Sequence, residues 1–301
     1  MKTLLALALV LSLSSAYDYK LESKSVGDST ECFFGLPEVM DKHNNGNISN
    51  SCFVQLGKHY LIVDSGPSYT YAKQSYKIIK NKNNLPISYL INTHEHDDHW
   101  LGNSFYNELG VKIIGSAAFR DVQIVKTTRM QKRIEKEAYK KTTQILPKIF
   151  VENEKTLLVD DFEVKLIRVH NRAHSLSDIL VYIPKKKIVF AGDLVFNGRL
   201  PSIRDGNLDN WIEVLLKIDT LDVEYIVGGH GEVVTKDATK FTYEYLVKLR
   251  DKVAALVEEG VDIADAVDTI TMKEYKDVPF YDVMQRQNVE IAYRMMEWND
   301  E

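Results

Sequence analysis

Four side chains that can bind a metal ion lie within six residues of one another, in the pattern H-x-H-x-D-H. They are His94, His96, Asp98 and His99. Two histidines two positions apart on an extended loop can point to one metal ion, while the adjacent Asp98 and His99 can turn toward a second. Neutral imidazole and carboxylate are ligands that hold zinc at neutral pH. Three of the eight histidines fall in this segment, which argues against an accident of composition.

One short loop cannot complete the coordination of two metal ions, so further ligands must come from elsewhere in the chain. Three candidates stand beside small residues that let the backbone approach a metal ion closely: His174, Asp193 and His230. Alone, each would be interpreted as an ordinary polar residue of the surface or the core. Together with the H-x-H-x-D-H segment, they form the expected remaining set.

The hydrophobic pattern predicts the elements that hold these residues. Residues 87–91 form a predicted strand that leads directly into the histidine cluster, at the strand end where open α/β sheets place their sites. Further strands are predicted at 60–63, 156–159, 162–169, 179–183, 188–191 and 225–227. Helices are predicted at 69–81, directly after the capping residue Asn207, and over most of the chain from Lys236 onward. This alternation predicts a layered α/β domain.

A polar, basic stretch at residues 116–144 is also helix-prone. Its interleaved glutamates favour a solvated helix face, and a surface for an acidic partner is the alternative.

The N-terminal residues predict export. Lys2, an apolar run at 4–13 and small residues at 14–16 are typical of a secretory signal peptide. About ten apolar residues fall short of the ~20 that span a bilayer, so we expect no stable membrane anchor. The mature chain, starting at Tyr17, is expected in the periplasm or outside the cell. The formal net charge of −5 argues against nucleic acid as a partner.

Only two cysteines occur, Cys32 and Cys52. Residues 31–36 and 50–56 are predicted strands, and a hairpin would bring the two sulfurs together in a compartment that permits a disulfide. The alternative is two independent small apolar residues, and the sequence does not decide between them. Neither a CxxC spacing nor a nearby histidine pair points to metal binding or catalysis.

The ordered set of seven ligand residues resembles the metal signature of the metallo-β-lactamase superfamily, and Asp64 resembles its first motif. The resemblance covers residues 47–234 and implies an αβ/βα four-layer sandwich with its site at the edge between two β-sheets. It implies a metallo-β-lactamase domain at 17–235, after the signal peptide at 1–16, with a helical C-terminal extension at 236–301 packed on the domain. The implied ligands are His94, His96 and His174 for one zinc ion, Asp98, His99 and His230 for a second, and Asp193 bridging both.

Such a centre predicts hydrolysis of a small-molecule substrate. Two zinc ions that share a water molecule lower its pKa from about 15.7 toward 7, so hydroxide is available to attack a carbonyl or similar centre. We expect cleavage of an ester, thioester, lactone or lactam-type bond. Asp98 is the predicted catalytic residue, which orients the hydroxide and handles its proton, while Asp64 orients a ligand loop.

Three residues after Asp193 are candidates for substrate binding. Arg199 and Arg204 lie between a metal ligand and a helix, so their side chains are expected near the mouth of the site. A guanidinium pairs bidentately with carboxylate, sulfate or phosphate, and Phe196 would add an apolar wall. The alternative is that both arginines are surface residues paired with Asp205 or Asp209.

A narrower resemblance, at residues 46–50, 191–196 and 199–203, is to periplasmic zinc hydrolases associated with sulfur-oxidation and quinoprotein systems. It implies no particular substrate. A dedicated β-lactamase is disfavoured because Asp193 stands where the commonest lactamases carry cysteine, and Phe196 where they often carry lysine. The signal peptide disfavours a glutathione thioesterase of the glyoxalase type.

Two other classes use the same fold. An iron-dependent redox enzyme is disfavoured because flavodiiron proteins carry glutamate at the position of His96. A non-catalytic accessory protein is disfavoured because such relatives usually lose ligands, whereas all seven are present here.

Overall fold

The computed structural model of the protein describes residues 17–297, and the predicted signal peptide at 1–16 lies outside them. The strands of the first sheet, in spatial and chain order, are β1 (Lys24–Ser25), β2 (Thr30–Phe33), β3 (Ser51–Leu56), β4 (His59–Val63), β5 (Ile87–Ile91), β6 (Lys112–Ser116) and β7 (Ile149–Val151). The second sheet consists of β8 (Glu154–Val159), β9 (Phe162–Arg168), β10 (Ile179–Ile183), β11 (Ile188–Phe196) and β12 (Tyr225–His230), with spatial order β12-β11-β10-β9-β8.

The α-helices of the described chain lie on the outer faces of the two sheets. They are α1 (Tyr69–Lys82), α2 (Asp97–Trp100), α3 (Asn103–Glu108), α4 (Arg129–Arg133), α5 (Lys136–Tyr139), α6 (Leu208–Asp219), α7 (Lys240–Glu258), α8 (Ile263–Thr269) and α9 (Tyr281–Glu297). Every one of these helices within residues 17–297 is too short or too polar to cross a membrane.

The layers follow from the two-residue period of side chains along a strand. In β4, Tyr60 and Ile62 pack in the core that contains α1 and α3, whereas Leu61 and Val63 pack in the core shared by the two sheets. A third core joins β11 and β12 to α6, α7 and α9. The order of layers is therefore helix, sheet, sheet, helix, and the predicted α/β sandwich is confirmed.

The two cysteines form a disulfide. Cys32 of β2 and Cys52 of β3 stand directly opposite each other in an antiparallel register, which brings the sulfurs together. The hairpin that the sequence allowed is therefore present, and the alternative of two independent cysteines is wrong.

Two predicted elements differ from the structure by more than three residues, and β12 also extends from its predicted end at residue 227 to His230. The stretch at residues 116–144 is not a helix with one solvated face: it contains a 3₁₀ turn at Ala117–Asp121 and the two short helices α4 and α5. β11 runs five residues beyond the predicted end at Ala191, because register shifts on both sides of Gly192 let pairing with β12 continue to Phe196.

The C-terminal helices pack against the second sheet. Leu249 of α7 and Val289 of α9 lie in the same core as Leu194 of β11 and Trp211 of α6. The predicted apolar stripe of α7 supplies this contact, since Tyr245, Leu249 and Val253 are all buried. The region after β12 is therefore helical and joined to the sandwich by a continuous core.

Candidate metal centre

The seven predicted ligands meet at one edge of the two sheets. They lie on the loop after β5 (His94 and His96), in α2 (Asp98 and His99), on the loop between β9 and β10 (His174), in β11 (Asp193) and at the end of β12 (His230). The loop after β5 and the last residue of β12 supply their ligands at the carboxyl end of a parallel strand, whereas Asp193 lies within β11, next to the register shift at Gly192.

Three histidines form the first group, and their ring nitrogens point at one another. Nδ1 of His96 lies 3.1 Å from Nε2 of His94 and 3.0 Å from Nε2 of His174. Oδ2 of Asp193 lies 3.6 Å from Nε2 of His94 and 3.3 Å from Nε2 of His174. The ligand atoms of this set all lie within 4.8 Å of one another.

The second group consists of Asp98, His99 and His230, whose ligand atoms also lie within 4.8 Å of one another. Oδ2 of Asp98 lies 3.6 Å from Nε2 of His99 and 3.7 Å from Nε2 of His230. Asp193 contacts this group as well: its Oδ1 lies 3.1 Å from Nε2 of His99, and its Oδ2 lies 3.2 Å from Nε2 of His230. Asp193 therefore stands between the two groups.

The outer nitrogens of the imidazoles fix the orientation of most rings. Nδ1 of His99 lies 2.9 Å from Oδ2 of Asp64, which also accepts a hydrogen bond from the hydroxyl of Thr93. Nδ1 of His230 lies 2.6 Å from the carbonyl oxygen of Ile48. These contacts leave Nε2 of both histidines pointing into the centre, as metal ligation requires.

The other three histidines are held in different ways. Nδ1 of His94 lies 3.1 Å from Oγ1 of Thr93. Nε2 of His96 lies 3.2 Å from Oδ2 of Asp205, which turns Nδ1 toward the centre. Nδ1 of His174 has no hydrogen-bond partner, and the ring is instead held by packing against Trp211 and Phe196 at 5.0 and 5.6 Å between ring centroids.

A glycine beside Asp193 allows the close approach of chain segments. Gly229 of β12 lies so near Asp193 that a Cβ atom there would collide with Oδ1 of the carboxylate. The small residue next to His230 is thus required for packing, as the sequence suggested.

Strong electrostatic coupling joins the two groups. Burial acts to raise the pKa of Asp193, but the surrounding imidazoles, those of His230 and His99 foremost, outweigh it and hold that pKa well below its usual range. Burial acts to lower the pKa of His99, but the nearby carboxylates, Asp193 foremost, raise it well above its usual range. The carboxylates and imidazoles of the centre therefore stabilise one another's charged forms.

The residues present fit metal ions. Nε2 of His99 and Oδ1 of Asp193 are buried and lie 3.1 Å apart, but neither atom makes a hydrogen bond of acceptable geometry. Buried polar atoms left without partners are rare and require an explanation such as a bound ion. Five imidazoles and two carboxylates form a ligand set that suits zinc.

Comparison with known proteins agrees with this geometry. The model of the metallo-beta-lactamase superfamily matches residues 44–230, which is more than half of the chain. The chain belongs to the metallo-β-lactamase superfamily.

Individual relatives of this superfamily member are distant. It is 28% identical over 192 residues to a hydroxyacylglutathione hydrolase of Pelagibacter ubique, a match that covers 60% of this chain and 69% of the relative. It is 26% identical over 177 residues to metallo-beta-lactamase IND-1 of Chryseobacterium indologenes, covering 56% of this chain and 66% of the relative. A solved metallo-beta-lactamase from Pontibacter korlensis superposes with a TM-score of 0.58 at 16% identity, over 75% of this chain and 99% of that one.

These relatives are hydrolytic metalloenzymes. The protein is accordingly a hydrolase of the metallo-β-lactamase superfamily with a His/Asp metal-binding site.

The predicted substrate residues of this superfamily hydrolase all line a cavity of about 280 Å³ beside the centre. Phe196 is fully buried and stacks on the ring of His230 at 4.9 Å. Arg199 is buried, and its Nε and Nη1 atoms have no partner. Arg204 donates two hydrogen bonds to Oδ2 of Asp205, at 2.9 and 2.6 Å, which is the pairing that the alternative predicted, and its side chain also lines the cavity.

Sequence reasoning missed several residues at this site. Asp205 was considered only as a partner for arginine, and its contact with His96 spans 109 positions, for which no local pattern exists. Arg129 and Arg133 also line the cavity, although they were interpreted as part of a solvated helix face. Phe280 lies there too, outside any apolar stripe that would have marked it.

Proposed function

We propose that the protein is a binuclear zinc hydrolase that cleaves an ester, thioester, lactone or lactam-type bond of a small molecule. The observation that carries this proposal is the convergence of seven side chains in two groups that share Asp193. One zinc ion would be held by His94, His96 and His174 and the other by Asp98, His99 and His230, with Asp193 bridging them. When bound, the two ions would polarise the scissile bond and make water acidic enough to react.

Asp98 is the proposed catalytic residue. Its carboxylate is buried, lines the cavity and faces the second group of ligands. From this position it orients the attacking water and takes its proton. The main chain of α2 is fixed for this role because the hydroxyl of Ser49 donates a hydrogen bond to the carbonyl oxygen of Asp98 at 2.7 Å.

The type of bond that is cleaved is inferred from the relatives and from two residues of the site. Two of the relatives are a hydroxyacylglutathione hydrolase and a metallo-beta-lactamase, whose names indicate thioester and lactam bonds. The bridging position holds Asp193, and Phe196 covers His230 where a lactamase often carries lysine. These residues favour an ester or thioester over a role as a dedicated β-lactamase. Arg199 and Arg204 are the proposed substrate-binding residues, with Phe196 as the apolar wall.

We also propose that the protein is exported to the periplasm or beyond. The composition of residues 1–16 is that of a signal peptide, and the disulfide between Cys32 and Cys52 suits an oxidising compartment. The narrower kinship with periplasmic sulfur-oxidation and quinoprotein-associated hydrolases belongs to the same proposal. This kinship is supported by the position of the three segments that resemble those hydrolases, residues 46–50, 191–196 and 199–203, which lie around the metal centre. Within the first segment, Asn50 donates hydrogen bonds to the carbonyl oxygens of Gly228 and Gly231.

The test combines metal analysis with a substrate panel. Protein purified from the periplasm is analysed by mass spectrometry for metal content and then assayed on matched lactam, lactone, ester, thioester and sulfate-ester substrates. We expect two zinc ions per chain, turnover of the ester or thioester, and loss of turnover in Asp98→Asn with the folded state retained. Glu232→Gln, an exposed carboxylate paired with Lys24 on the surface, is the matched control and should retain full activity.

The competing functions predict other results. Iron as the native metal would support the redox enzyme. Two bound zinc ions with no turnover of any substrate would support the accessory protein, and either result would contradict the proposed hydrolysis.

A further inference from the structure

Four of the ten arginines line the cavity beside the metal centre, although the chain as a whole has a net charge of −5. They are Arg129, Arg133, Arg199 and Arg204. No lysine within residues 17–297 contributes to the lining. Arginine presents a planar fork that matches carboxylate, sulfate or phosphate, whereas lysine presents a single charge. The choice of residue therefore indicates recognition of a planar or polyatomic anion.

Arg199 is the buried one of the four arginines that line the cavity. It is 7% exposed, its Nε and Nη1 atoms lack partners, and it makes no ion pair with any of residues 17–297. Burial lowers its pKa, which reflects the cost of holding an unpaired guanidinium away from water. A buried charge is normally paired or hydrogen-bonded, so the missing partner points to a ligand that enters the cavity.

The guanidinium of Arg199 is held between two aromatic rings. Its Cζ lies 4.1 Å from the ring centroid of Phe280 and 5.3 Å from that of Phe196. A cation over the face of an aromatic ring is attracted by the ring quadrupole, and the edges of the guanidinium remain free to donate hydrogen bonds. Phe280 has a φ of 73°, a conformation that is an outlier for a bulky residue and is typically retained at functional sites.

The C-terminal segment holds the loop that carries Arg199. The backbone N–H of Leu200 donates to the carbonyl oxygen of Pro279 at 3.0 Å. The side chain of Asn288 in α9 donates to the carbonyl oxygen of Pro201 at 2.9 Å and accepts from the N–H of Ile203 at 3.4 Å. Residues 279–288 therefore fix the position of the loop as well as that of the guanidinium.

The same segment gives the cavity an apolar wall. Phe280, Val283 and Met284 line it from the C-terminal side, and Val39 and Met40 line it from the N-terminal part of the chain. Val283 and Val39 are exposed at 53% and 43%. Exposed apolar side chains at the mouth of a charged cavity indicate that the bound molecule has an apolar part as well as a charged one.

The opposite wall is basic and is also fixed in place. Met130, between Arg129 and Arg133, is buried, and its backbone N–H donates to Oδ2 of Asp97 at 3.1 Å. The backbone N–H of Glu135 donates to Oδ1 of Asn45 at 2.7 Å. Hydrogen bonds thus hold α4 against the metal-binding loop. Because of them, even this short helix keeps Arg129 and Arg133 at the cavity.

We propose that the substrate is an amphiphilic anion, whose charged group is bound by Arg199 and whose apolar part lies against Phe280, Val283 and Met284. Phe280 acts as a positioning residue, because it orients the guanidinium of Arg199. The inference rests on the proposed hydrolase function and adds the class of substrate and the part of the C-terminal region that selects it.

Binding measurements test this without requiring turnover. The zinc-loaded protein is titrated by calorimetry with 4-phenylbutanoate and with 4-phenylbutanamide, which share their apolar part and differ in charge. We expect the wild-type protein to bind the carboxylate at least tenfold more tightly than the amide, and Arg199→Gln to lose this preference with its zinc content and amide affinity unchanged. Arg286→Gln, on α9 but outside the cavity lining, is the control and should keep the preference.

Variants of Phe280 separate positioning from general packing. Phe280→Leu should lower the carboxylate affinity more than the amide affinity, because the aromatic face that orients Arg199 is gone. Phe280→Tyr should restore the preference, since it keeps that face. Phe241→Leu, which removes a partly buried ring that packs on Tyr275, should leave both affinities unchanged.

The outcomes that overturn the inference are distinct from those that overturn the function. A wild-type protein with no preference for the carboxylate, or an Arg199→Gln variant that keeps the preference, refutes the role of Arg199. Loss of the preference only in the double variant Arg129→Gln/Arg133→Gln would place the anion on α4 and likewise refute it. Absence of hydrolysis with the binding preference intact would refute the hydrolase and leave the anion site standing.

Discussion

Asp64→Asn is a sharp test of how the metal centre is built. Oδ1 of Asp64 accepts a hydrogen bond from the N–H of Thr93 at 2.8 Å, and Oδ2 accepts one from the hydroxyl of Thr93 at 2.7 Å. Oδ2 also lies 2.9 Å from Nδ1 of His99. A carboxylate accepts at both oxygens, so His99 carries its proton on Nδ1 and Nε2 is free for a metal ion.

An asparagine cannot satisfy all three contacts. If its amide nitrogen replaces Oδ2, it donates toward Nδ1 of His99, and the proton of the imidazole must move to Nε2, where it blocks ligation. If the amide is flipped, its nitrogen faces the N–H of Thr93, and two donors oppose each other. The backbone does not add to the cost, because Asp64 has a φ of 57° and asparagine tolerates this region at least as well as aspartate.

The expected cost is a 10- to 100-fold loss of metal affinity at the site of Asp98, His99 and His230, the usual range when a partner of a ligand is altered. This corresponds to about 1.4 to 2.7 kcal/mol. The other site, formed by His94, His96 and His174, should change less, because Asp64 reaches it only through the hydroxyl of Thr93, which lies 3.1 Å from Nδ1 of His94. Competition with a chromophoric chelator, with zinc and protein concentrations known, measures the two affinities separately.

Asp160→Asn provides a matched control. Asp160 also has a positive φ, of 48°, and also lies beside Nδ1 of a histidine, His59 at 3.1 Å, but on the surface. Its replacement should leave both zinc affinities unchanged. If Asp64→Asn also bound two zinc ions with wild-type affinity, Asp64 would not control the tautomer of His99 and the reasoning would be refuted.

The remaining predictions concern the bridge, the disulfide and the core. Asp193→Ala should weaken both zinc sites, whereas His96→Ala should mainly empty the first, and equal retention of both metals in Asp193→Ala would exclude bridging by this carboxylate. Replacing Cys32 and Cys52 by serine should lower the free energy of unfolding by about 3 kcal/mol, measured in denaturant, because the bridge spans 20 positions; two titratable thiols in the purified native protein would contradict it. Trp211→Ala should cost about 3 to 5 kcal/mol in the same assay, since the ring is fully buried, and a loss below 1 kcal/mol would show that it adds little to the core.

The sequence predicted the strands that deliver the ligands because their signals are local. The strands at 87–91 and 179–183 have the predicted bounds, and the cap at Asn207 begins α6 as expected, accepting a hydrogen bond from the N–H of Asn210. An apolar run and the polar residue that ends it are neighbours in the chain. Much of the ligand set was predictable for the same reason, since the cluster from His94 to His99 and His230 stand next to such runs, whereas His174 lies in the loop after β9 and Asp193 lies within β11.

Features that depend on contacts between distant segments were not predictable in this way. The extension of β11 past Ala191 requires the register shift at Gly192, where a positive φ of 52° and close contact with Thr93 decide the path of the strand. The stretch at 116–144 has the composition of a helix, but Met130 and Ala138 are drawn into the core and divide it into short turns. Tertiary packing overrode local propensity there.

The metal ligands were predictable from the sequence and the substrate cavity was not, and the reason is again the difference between local signals and contacts between distant segments. Several ligands of the metal centre stand next to apolar runs of the chain, so the sequence alone marks their positions. The cavity is bounded by side chains from Val39 to Gln287, brought together by hydrogen bonds such as the one between Asn288 and Pro201. No single segment of the chain contributes enough of the lining residues for the sequence to predict the charge or the shape of the cavity. The proposed selection of the substrate therefore combines Arg199, which lies within the residues matched by the superfamily model, with Phe280, Val283 and Met284, which lie beyond them.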